Sequence, residues 1–309
     1  FKQKTAYEIG VRLVGSEMCI RDRNKMGIRL LNSLIKKQCG NINSLITLFQ
    51  LKGKVITIDI SIYLYRFKSI DKLMENMYIL CSLMCYYEIK PLFVFDGIPS
   101  HLKDNELRLR KMKKEEAKKK LDKLKDKLSG RRIEKLKRIF TSVSKNDIEN
   151  VKKLIKLFGL TYITADGEAD EICAKLVICK KAYACLSEDT DLFVYGCPRV
   201  LRYISLRNHT VVIYHTNKIL KELKLEMKNF REMCIVSGTD YNSSNFNIFY
   251  YYGIYKNGGK VELTDYEVKI YNLFNLKADD SFKDLLIENS SINKSDICDM
   301  MSVYNFIQV

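Results

Sequence analysis

Seven acidic residues occupy positions from which a folded chain could bring them together. They are Asp59, Asp96, Glu168, Asp170, Asp189, Asp191 and Asp240. Asp59, Asp96 and Asp189 follow short apolar runs, and the set contains two pairs spaced two residues apart, in GEADE and EDTD. Carboxylates a few Å apart raise one another's pKa values, so such a group calls for cations. Oxygen ligands without nearby His or Cys favour Mg²⁺, with Mn²⁺ as a substitute, over zinc.

Two divalent cations held by these acids would suit phosphodiester hydrolysis. At about 4 Å apart, they activate a water and stabilise the leaving oxygen. Each acid alone has a simpler interpretation, because Asp59 or Asp96 could be a turn or N-cap residue and Asp170 could lie on a helix surface. The convergence of several strand-end acids with a strongly basic segment favours the functional interpretation, a metal-dependent enzyme that acts on phosphates.

The elements that would position these acids alternate between strand and helix. Short apolar runs typical of strands buried on both faces are Val55–Ile58, Leu92–Phe95 and Ala182–Leu186. Helical patterns span Ser69–Tyr87, Asp147–Phe158 and Ala169–Lys180. This alternation predicts an α/β fold, with a twisted, mainly parallel sheet flanked by helices. Ligands of such sheets bind at the carboxyl ends of the strands, and the acids are expected there.

One segment interrupts the alternation. Lys103–Lys137 contains 16 Lys or Arg and 7 Asp or Glu, so its net charge of +9 is more than half of the chain's +16. Its apolar residues are too sparse for a core face, which predicts one or two exposed helices that project from the sheet. A solvated charged helix is the alternative, but the one-sided charge favours contact with a nucleic acid. The candidate contacts are Lys103, Arg108, Arg110, Lys111, Lys113 and Lys114.

Composition excludes several classes of protein. Hydrophobic residues make up 47% of the 309 residues, which is enough for a substantial core, and 14 Gly and 3 Pro exclude collagen-like or linker sequences. Ten Cys are scattered without a CxxC pair and there are three His, so neither a disulfide framework nor a zinc site is expected, and a reducing intracellular compartment fits best. No apolar run approaches the roughly 18 residues of a membrane span, so we expect a soluble protein without a membrane partner.

Residues 1–25 form a separate segment. The sequence FKQKTAYEIGVRLVGSEMCIRDR is typical of translated sequencing-adaptor read-through rather than of a targeting peptide. We exclude it from fold reasoning and expect translation to begin at Met26. Without it the net charge is still +13, so the argument for a polyanionic partner is unchanged.

Six ordered motifs resemble those of the flap endonucleases of the XPG superfamily, and the sequence is similar to the diverged members that large DNA viruses carry. The motifs are MGIRLLNSLI, VITIDISIYLYRF, FVFDGIPSHLK, ITADGEADE, LSEDTDLFVYG and VSGTDYN. They span Met26–Asn242 in the family's own order, and six ordered matches are more specific than any single short pattern. The resemblance implies a PIN-like α/β domain with a basic helical arch inserted into it.

The resemblance and the composition together predict five segments. They are the adaptor-derived residues 1–25, the nuclease domain in two parts at 26–99 and 147–241, the arch at 100–146 and a diverged, small and helical C-terminal region at 242–309. In that last region, Asn242–Ile248 stands where the family has a glycine-rich helix-hairpin motif that binds duplex DNA. The closing VYNFIQV shows no sliding-clamp peptide.

The resemblance also assigns roles to single residues. Asp59, Asp96, Glu168 and Asp170 would serve one metal ion, with Asp170 standing where the family commonly has Glu, and Asp189, Asp191 and Asp240 would serve a second ion. Lys103 and Arg110 would be catalytic residues at the foot of the arch, where a cation beside the scissile phosphate stabilises developing charge. Tyr65 matches an aromatic residue that stacks on the displaced terminal base, and Gly27 matches the processed amino terminus that lies against DNA.

The sequence therefore predicts a Mg²⁺-dependent, structure-specific 5′ flap endonuclease and 5′-3′ exonuclease of DNA replication, repair or recombination. Its partners would be DNA with 5′ flaps, gaps or free 5′ ends, with RNA as a further candidate, in a cell nucleus or in the replication compartment of a virus. Two alternatives stay open, a PIN-type ribonuclease and a catalytically silent scaffold that binds DNA structures. A haloacid dehalogenase phosphatase is disfavoured, because Ser61 stands where that class needs a second Asp.

Overall fold

The structure is a computed structural model of the chain. It describes residues 27–40, 42–98, 103, 108–112, 115–116, 118–119, 141–279, 282, 285, 287–304 and 306. The expected adaptor-derived segment and most of the expected arch lie outside the described residues.

A twisted sheet forms the centre of the described part of the chain. Its strands are β1 (Ser44–Thr47), β2 (Val55–Asp59), β3 (Lys90–Phe95), β4 (Thr161–Thr164), β5 (Ala184–Leu186), β6 (Arg199–Ser205) and β7 (Thr210–His215). They lie in the order β1-β7-β6-β5-β2-β3-β4. The neighbours from β6 to β4 pair in parallel, whereas β7 is antiparallel to both β6 and β1. The predicted α/β class with a mainly parallel sheet is confirmed.

The strand order reverses at β2. β3 and β4 are added on one side of β2, and the next strand, β5, lies on its other side. Asp59 pairs with Val94 and Ile58 pairs with Leu186, so the carboxyl ends of β2, β3 and β5 lie side by side. A crevice outside such a switch point is where ligands bind in open α/β sheets.

Helices cover both faces of the sheet. They are α1 (Leu31–Gln38), α2 (Ile60–Lys68), α3 (Leu73–Tyr86), α4 (Lys145–Leu157), α5 (Ala169–Ile178), α6 (Asp191–Tyr195), α7 (Thr216–Leu223), α8 (Met227–Val236), α9 (Ile248–Lys256), α10 (Asp265–Phe274) and α11 (Lys294–Ser302), with a 3₁₀ helix at Leu48–Leu51. The period of two along each strand divides the core. Leu92 and Val94 face α1 and α5–α10, whereas Phe93 and Phe95 face α2–α4 and α11.

The C-terminal region is helical, as predicted; α11 packs on the second of these cores, and α9 and α10 pack on the first. Ile248 of α9 and Phe274 of α10 are fully buried there. Within the described ranges, no helix is both long enough and apolar enough to cross a membrane.

Candidate metal and nucleic-acid site

Two strand-end acids define the floor of the site. Asp59 is the last residue of β2, and its carboxylate accepts hydrogen bonds from Ser187 Oγ at 2.8 Å and from Ser61 N at 3.3 Å. Asp96 directly follows β3, and its carboxylate accepts from the backbone N–H of Ala169 at 2.9 Å and from the Ser61 hydroxyl. The Ser61 hydroxyl, two residues after the first acid, therefore holds the second acid.

The amino end of α5 supplies the next two acids. Glu168 is the N-cap residue of this helix and Asp170 lies in its first turn. α5 packs against β2, β3 and β5, so its amino end points toward the carboxyl ends of the strands. The positive end of the helix dipole favours negative charge at this place.

A loop after β5 carries the third pair of acids and is joined to the start of α1. Asp189 Oδ1 accepts a hydrogen bond from Asp191 N at 2.9 Å, and Thr190 Oγ1 accepts one from Ile28 N at 2.9 Å. Gly27 is buried against this loop with a φ of +69°, and a Cβ atom there would lie 2.3 Å from Asp189 Oδ1 and 2.7 Å from Asp191 Oδ1. The chain can approach the acids this closely because residue 27 has no side chain.

A buried arginine supports the same loop from behind. Arg202 of β6 is 2% exposed, and its guanidinium donates to the carbonyl oxygen of Glu188 at 2.6 Å and to Asn32 of α1. The Glu188 side chain in turn accepts from Tyr203 N at 3.0 Å. The loop is thus tied to β6 and to α1 at once.

Two basic side chains reach into the acids. Lys103 Nζ lies 2.6 Å from Glu168 Oε2 and 3.9 Å from Asp240 Oδ2. Arg110, in a helical stretch at residues 108–112, donates to Asp240 Oδ2 at 2.6 Å. Tyr241 completes this group, because its hydroxyl donates to Glu168 at 3.0 Å and its ring lies 4.8 Å from Lys103 Nζ.

Burial and mutual repulsion make three of the acids, Asp59, Asp170 and Asp191, costly to ionise. Burial raises the pKa of Asp59 to about 8, with smaller upward contributions from Asp96 and Asp189 that its hydrogen bonds only partly offset. Burial likewise raises the pKa of Asp170 well above its usual range, and Glu168 adds to that effect. These interactions place the acids within electrostatic reach of one another at one edge of the sheet.

The pKa of Asp191 is raised in the same way, and Lys103 acts in the opposite direction. Burial raises the pKa of Asp191 well above its usual range, and Asp189 and Asp240 raise it further. Burial lowers the pKa of Lys103, but Tyr241 and the acids raise it by more, so the ammonium keeps its proton. The protonated Lys103 thus lies among carboxyl groups that repel one another.

The donor set fits divalent cations. Asp191 Oδ1 is buried without a hydrogen-bond partner, and the seven acids offer oxygen atoms of the kind that Mg²⁺ and Mn²⁺ prefer. In the part of the chain that the structure describes, no three acidic, His or Cys side chains are already arranged as ligands of one ion. Glu168 and Asp240 are instead bonded to Lys103 and Arg110.

Three of the other expected nucleic-acid contacts lie in the described part of the chain. Tyr65 is on α2, the helix that starts directly after Asp59, and is 47% exposed. Arg108 and Lys111 are exposed in the short helical stretch that also carries Arg110. Lys113 and Lys114 lie outside the described residues.

Three contributors were not predicted from the sequence: Ser61, Ser187 and Tyr241. The two serines hold Asp59 and Asp96, and the tyrosine holds Glu168. A signal was available, since Ser187 stands within SEDTD and Tyr241 follows Asp240. Which carboxylate each hydroxyl reaches depends on the folded chain.

Comparison with known proteins identifies the family. The XPG N-terminal domain model matches residues 26–117 and the XPG I-region model matches residues 159–240, together more than half of the chain. Flap endonuclease 1 of Lodderomyces elongisporus is 32% identical over 235 residues, which cover 70% of this chain and 61% of that protein. Flap endonuclease 1-A of Oryza sativa subsp. japonica is 39% identical over 159 residues, 50% of this chain and 42% of that protein.

The chain spans about three fifths of the length of the Lodderomyces protein. These relatives come from a fungus and a plant, so they give no support to the expected viral similarity.

Solved structures share the fold. The catalytic core of Rad2 in complex with a DNA substrate has a TM-score of 0.69 at 20% identity, covering 88% of this chain and 94% of that one. Flap endonuclease-1 from Methanococcus jannaschii has a TM-score of 0.61 at 23% identity, with 86% and 92% covered. The predicted PIN-like architecture is confirmed. By its matched regions and the order of its motifs, the chain belongs to the XPG family, the family of the flap endonucleases.

Proposed function

We propose that the chain is a metal-dependent, structure-specific 5′ nuclease that hydrolyses DNA phosphodiesters where an unpaired 5′ strand meets a duplex. The observation that carries the proposal is the gathering of seven carboxyl groups at one sheet edge, with Lys103 and Arg110 bonded into them. DNA is preferred over RNA as substrate because the matched relatives are named flap endonucleases. Because the proposed substrate is DNA and the matched relatives are eukaryotic, a nuclear location is part of the proposal.

Two Mg²⁺ ions are the proposed cofactors. Asp59, Asp96, Glu168 and Asp170 would hold one, and Asp189, Asp191 and Asp240 the other. When bound, the ions supply Lewis-acid stabilisation of the phosphate and an activated water.

The basic side chains would bind the scissile phosphate. Lys103 and Arg110 now donate to Glu168 and Asp240, and a phosphodiester in the crevice offers them oxygens of the same charge. A cation held beside the transferring phosphate stabilises the charge that develops on it. Tyr241 would keep Glu168 oriented through the 3.0 Å hydrogen bond that its hydroxyl donates to Oε2.

The test is cleavage of end-labelled 5′-flap, gapped-duplex and single-stranded DNA and RNA in Mg²⁺. The chain begun at Met26 is compared with Asp191→Asn, in which one buried carboxylate becomes an amide of the same shape. We expect cutting near the flap junction that falls at least about a hundredfold in the variant, in line with the loss of one strong transition-state contact.

The matched control is Asp166→Asn. Asp166 stands in the neighbouring loop just before GEADE, where it is exposed, and its carbonyl oxygen accepts a hydrogen bond from Ile98 N. The proposal fails if both variants cut equally, or if wild-type cutting persists in EDTA. Cutting of RNA alone would favour the ribonuclease, and tight flap binding without cutting would favour the scaffold.

A further inference from the structure

An exposed pair of stacked aromatic rings follows the last acid of the site. Phe246 is 51% exposed and Tyr250 is 50% exposed, and their ring centroids lie 4.3 Å apart with an interplanar angle of 19°. The other ring pairs found among the described residues meet edge-on or tilted. We refer to Phe246 and Tyr250 as the aromatic platform. Exposed apolar surface of this kind often marks a binding site.

The platform is held rigidly. Asn247 Oδ1 accepts hydrogen bonds from the backbone N–H groups of Phe249 and Tyr250, which starts α9 at this point. The Tyr251 ring lies edge-on to both platform rings, at 6.3 Å and 5.2 Å between centroids. Rings fixed in this way bind a flat ligand at little cost in conformational entropy.

A basic helix face joins the platform to the carboxylate site. Arg29, Lys36 and Lys37 are exposed on or beside α1, and Lys37 Nζ lies 5.5 Å from the centroid of the Phe249 ring. At the other end of α1, Ile28 N is bonded to Thr190, between Asp189 and Asp191. The helix has 8 residues and so covers roughly 12 Å.

We propose that the aromatic platform binds unpaired bases of a DNA strand whose phosphates lie along the basic face of α1. The inference rests on the proposed function, since it extends the path of the substrate away from the scissile phosphate. Aromatic faces next to cations are the chemistry of single-strand binding, which tolerates any base because every base has a π-face. Inside a duplex, base faces are covered by their neighbours, so the platform selects an unpaired stretch.

This assignment also gives a role to a segment in which the sequence departs from the motif that the resemblance implies. Asn242–Ile248 lacks the glycine-rich motif expected there, and it carries Phe246 of the platform instead. In this chain, stacking on unpaired bases would take the place of the contact that the family's motif makes with duplex DNA.

The first measurement uses Tyr250→Trp. The sequence contains no tryptophan, so this variant carries a single indole reporter. It is titrated in EDTA with an oligothymidylate and with an abasic oligonucleotide of the same length. We expect saturable quenching by the oligothymidylate and little quenching by the abasic strand. Equal quenching by the two strands, or quenching by neither, overturns the proposal.

The second measurement is the affinity of Phe246→Ala/Tyr250→Ala for the same two labelled strands. Stacking contributes about 1–3 kcal/mol per base, so binding of oligothymidylate should weaken roughly tenfold or more, with no change for the abasic strand. The control is Phe49→Ala/Tyr86→Ala, which removes rings that are 65% and 76% exposed near the amino end of β2. Equal affinities of wild type and platform variant overturn the proposal, as does an equal loss in the control.

The outcome is separable from that of the proposed function. If Asp191→Asn abolishes cutting but the platform variant binds oligothymidylate normally, the platform proposal fails and the nuclease stands. If wild type cuts no nucleic acid but Tyr250→Trp is quenched by bases, the nuclease fails and the platform stands. Should the double variant be unfolded by circular dichroism, the quenching measurement alone decides.

Discussion

Gly27 is the residue at which the backbone comes closest to the acids. Because a Cβ atom there would lie 2.3–2.7 Å from side-chain atoms of Asp189, Thr190 and Asp191, we expect Gly27→Ala to displace this loop and to reduce cutting at least tenfold. The left-handed backbone adds about 1–2 kcal/mol of strain for any residue with a side chain. Steady-state cleavage and thermal unfolding measure the two effects.

The control variant Gly53→Ala separates the effect of backbone strain from the effect of displacing the loop that carries Asp189 and Asp191. Gly53 has a similar φ of +71°, but a Cβ atom there would meet nothing within 4 Å. It should lose a comparable amount of stability and keep full activity. If both variants cut equally well, the contact between residue 27 and the loop is not needed for activity.

We expect the Asp191 side chain to lower the free energy of unfolding, although it is a proposed metal ligand. Its side chain is 2% exposed, and Oδ1 has no hydrogen-bond partner. A carboxyl group buried beside Asp189 and Asp240 costs free energy whether it ionises there or takes up a proton, so in EDTA we expect Asp191→Asn to raise the free energy of unfolding by on the order of 1 kcal/mol. In a chain of this size that is a rise in Tm of about 2–4 °C, measurable by calorimetry. A lower Tm in EDTA would contradict the expected repulsion.

The positions of the acids could be predicted because strand ends and short spacings are visible in the sequence, although their roles as ligands stay predictions. The partners of the acids could not. Ser187 reaches Asp59 across 128 residues of chain, and Tyr241 reaches Glu168 across 73. Ser and Tyr hydroxyls form such bonds wherever the fold places them, so the sequence gives no spacing rule for them.

Helix α4 offers a prediction at the scale of an element. Asp147 closes a capping box with Ser144, and its carboxylate also accepts from Lys68 Nζ of α2 at 2.9 Å. Burial opposes ionisation of Asp147, but the hydrogen bonds from Ser144 and Lys68 together outweigh it and lower the pKa. A lowered folded-state pKa stabilises the protein above the unfolded-state pKa, and this stability is lost as pH falls through the folded-state pKa.

Asp147→Asn should therefore be destabilising at pH 7, by about 1 kcal/mol as for other lost helix caps, and the difference from wild type should shrink below about pH 4. Urea unfolding at several pH values measures it. Glu149→Gln in the same helix is the control, because the Glu149 side chain is 70% exposed and its pair with Lys152 is therefore worth little. A deficit that does not change with pH would mean that the charge of Asp147 is not responsible.

Whole elements were predicted best where periodicity was strong. The predicted helix over Asp147–Phe158 is observed as Lys145–Leu157, and the one over Ala169–Lys180 as Ala169–Ile178. The helix predicted from Ser69 begins instead at Leu73, because Asp71 adopts a left-handed φ of 55°. β4 was missed because its four residues, TYIT, are partly exposed and lack the continuous apolar run of a central strand.

At the scale of the whole molecule, the direction of the strands gives the sheet two different edges, one at their carboxyl ends and one at their amino ends. The carboxyl ends of β2, β3 and β5 carry the acids, and the expected arch follows β3 in the sequence. The net charge of +9 within Lys103–Lys137 is thus attached at the edge where the substrate is proposed to bind. Lys52, Lys54 and Lys180 are exposed at the opposite edge, near the amino ends of β2 and β5.

We therefore expect the salt dependence of DNA affinity to come from lysines at the first of these edges and not from those at the opposite edge. Each lysine that neutralises a phosphate contributes about 0.7–0.9 to the slope of log K against log salt, because it releases a counterion. Replacing Lys111, Lys113 and Lys114 by Gln should therefore reduce the slope for flap DNA by about 2. Anisotropy titrations in EDTA across a range of KCl concentrations measure the slope.

Replacing Lys52, Lys54 and Lys180 by Gln removes the same charge from the opposite edge. If DNA is bound through the arch, this variant keeps the slope of the wild type. An equal reduction in both variants would mean that binding follows net charge rather than the direction of the sheet. Because counterion release requires a phosphate beside the lysine, the comparison locates the substrate without depending on cleavage.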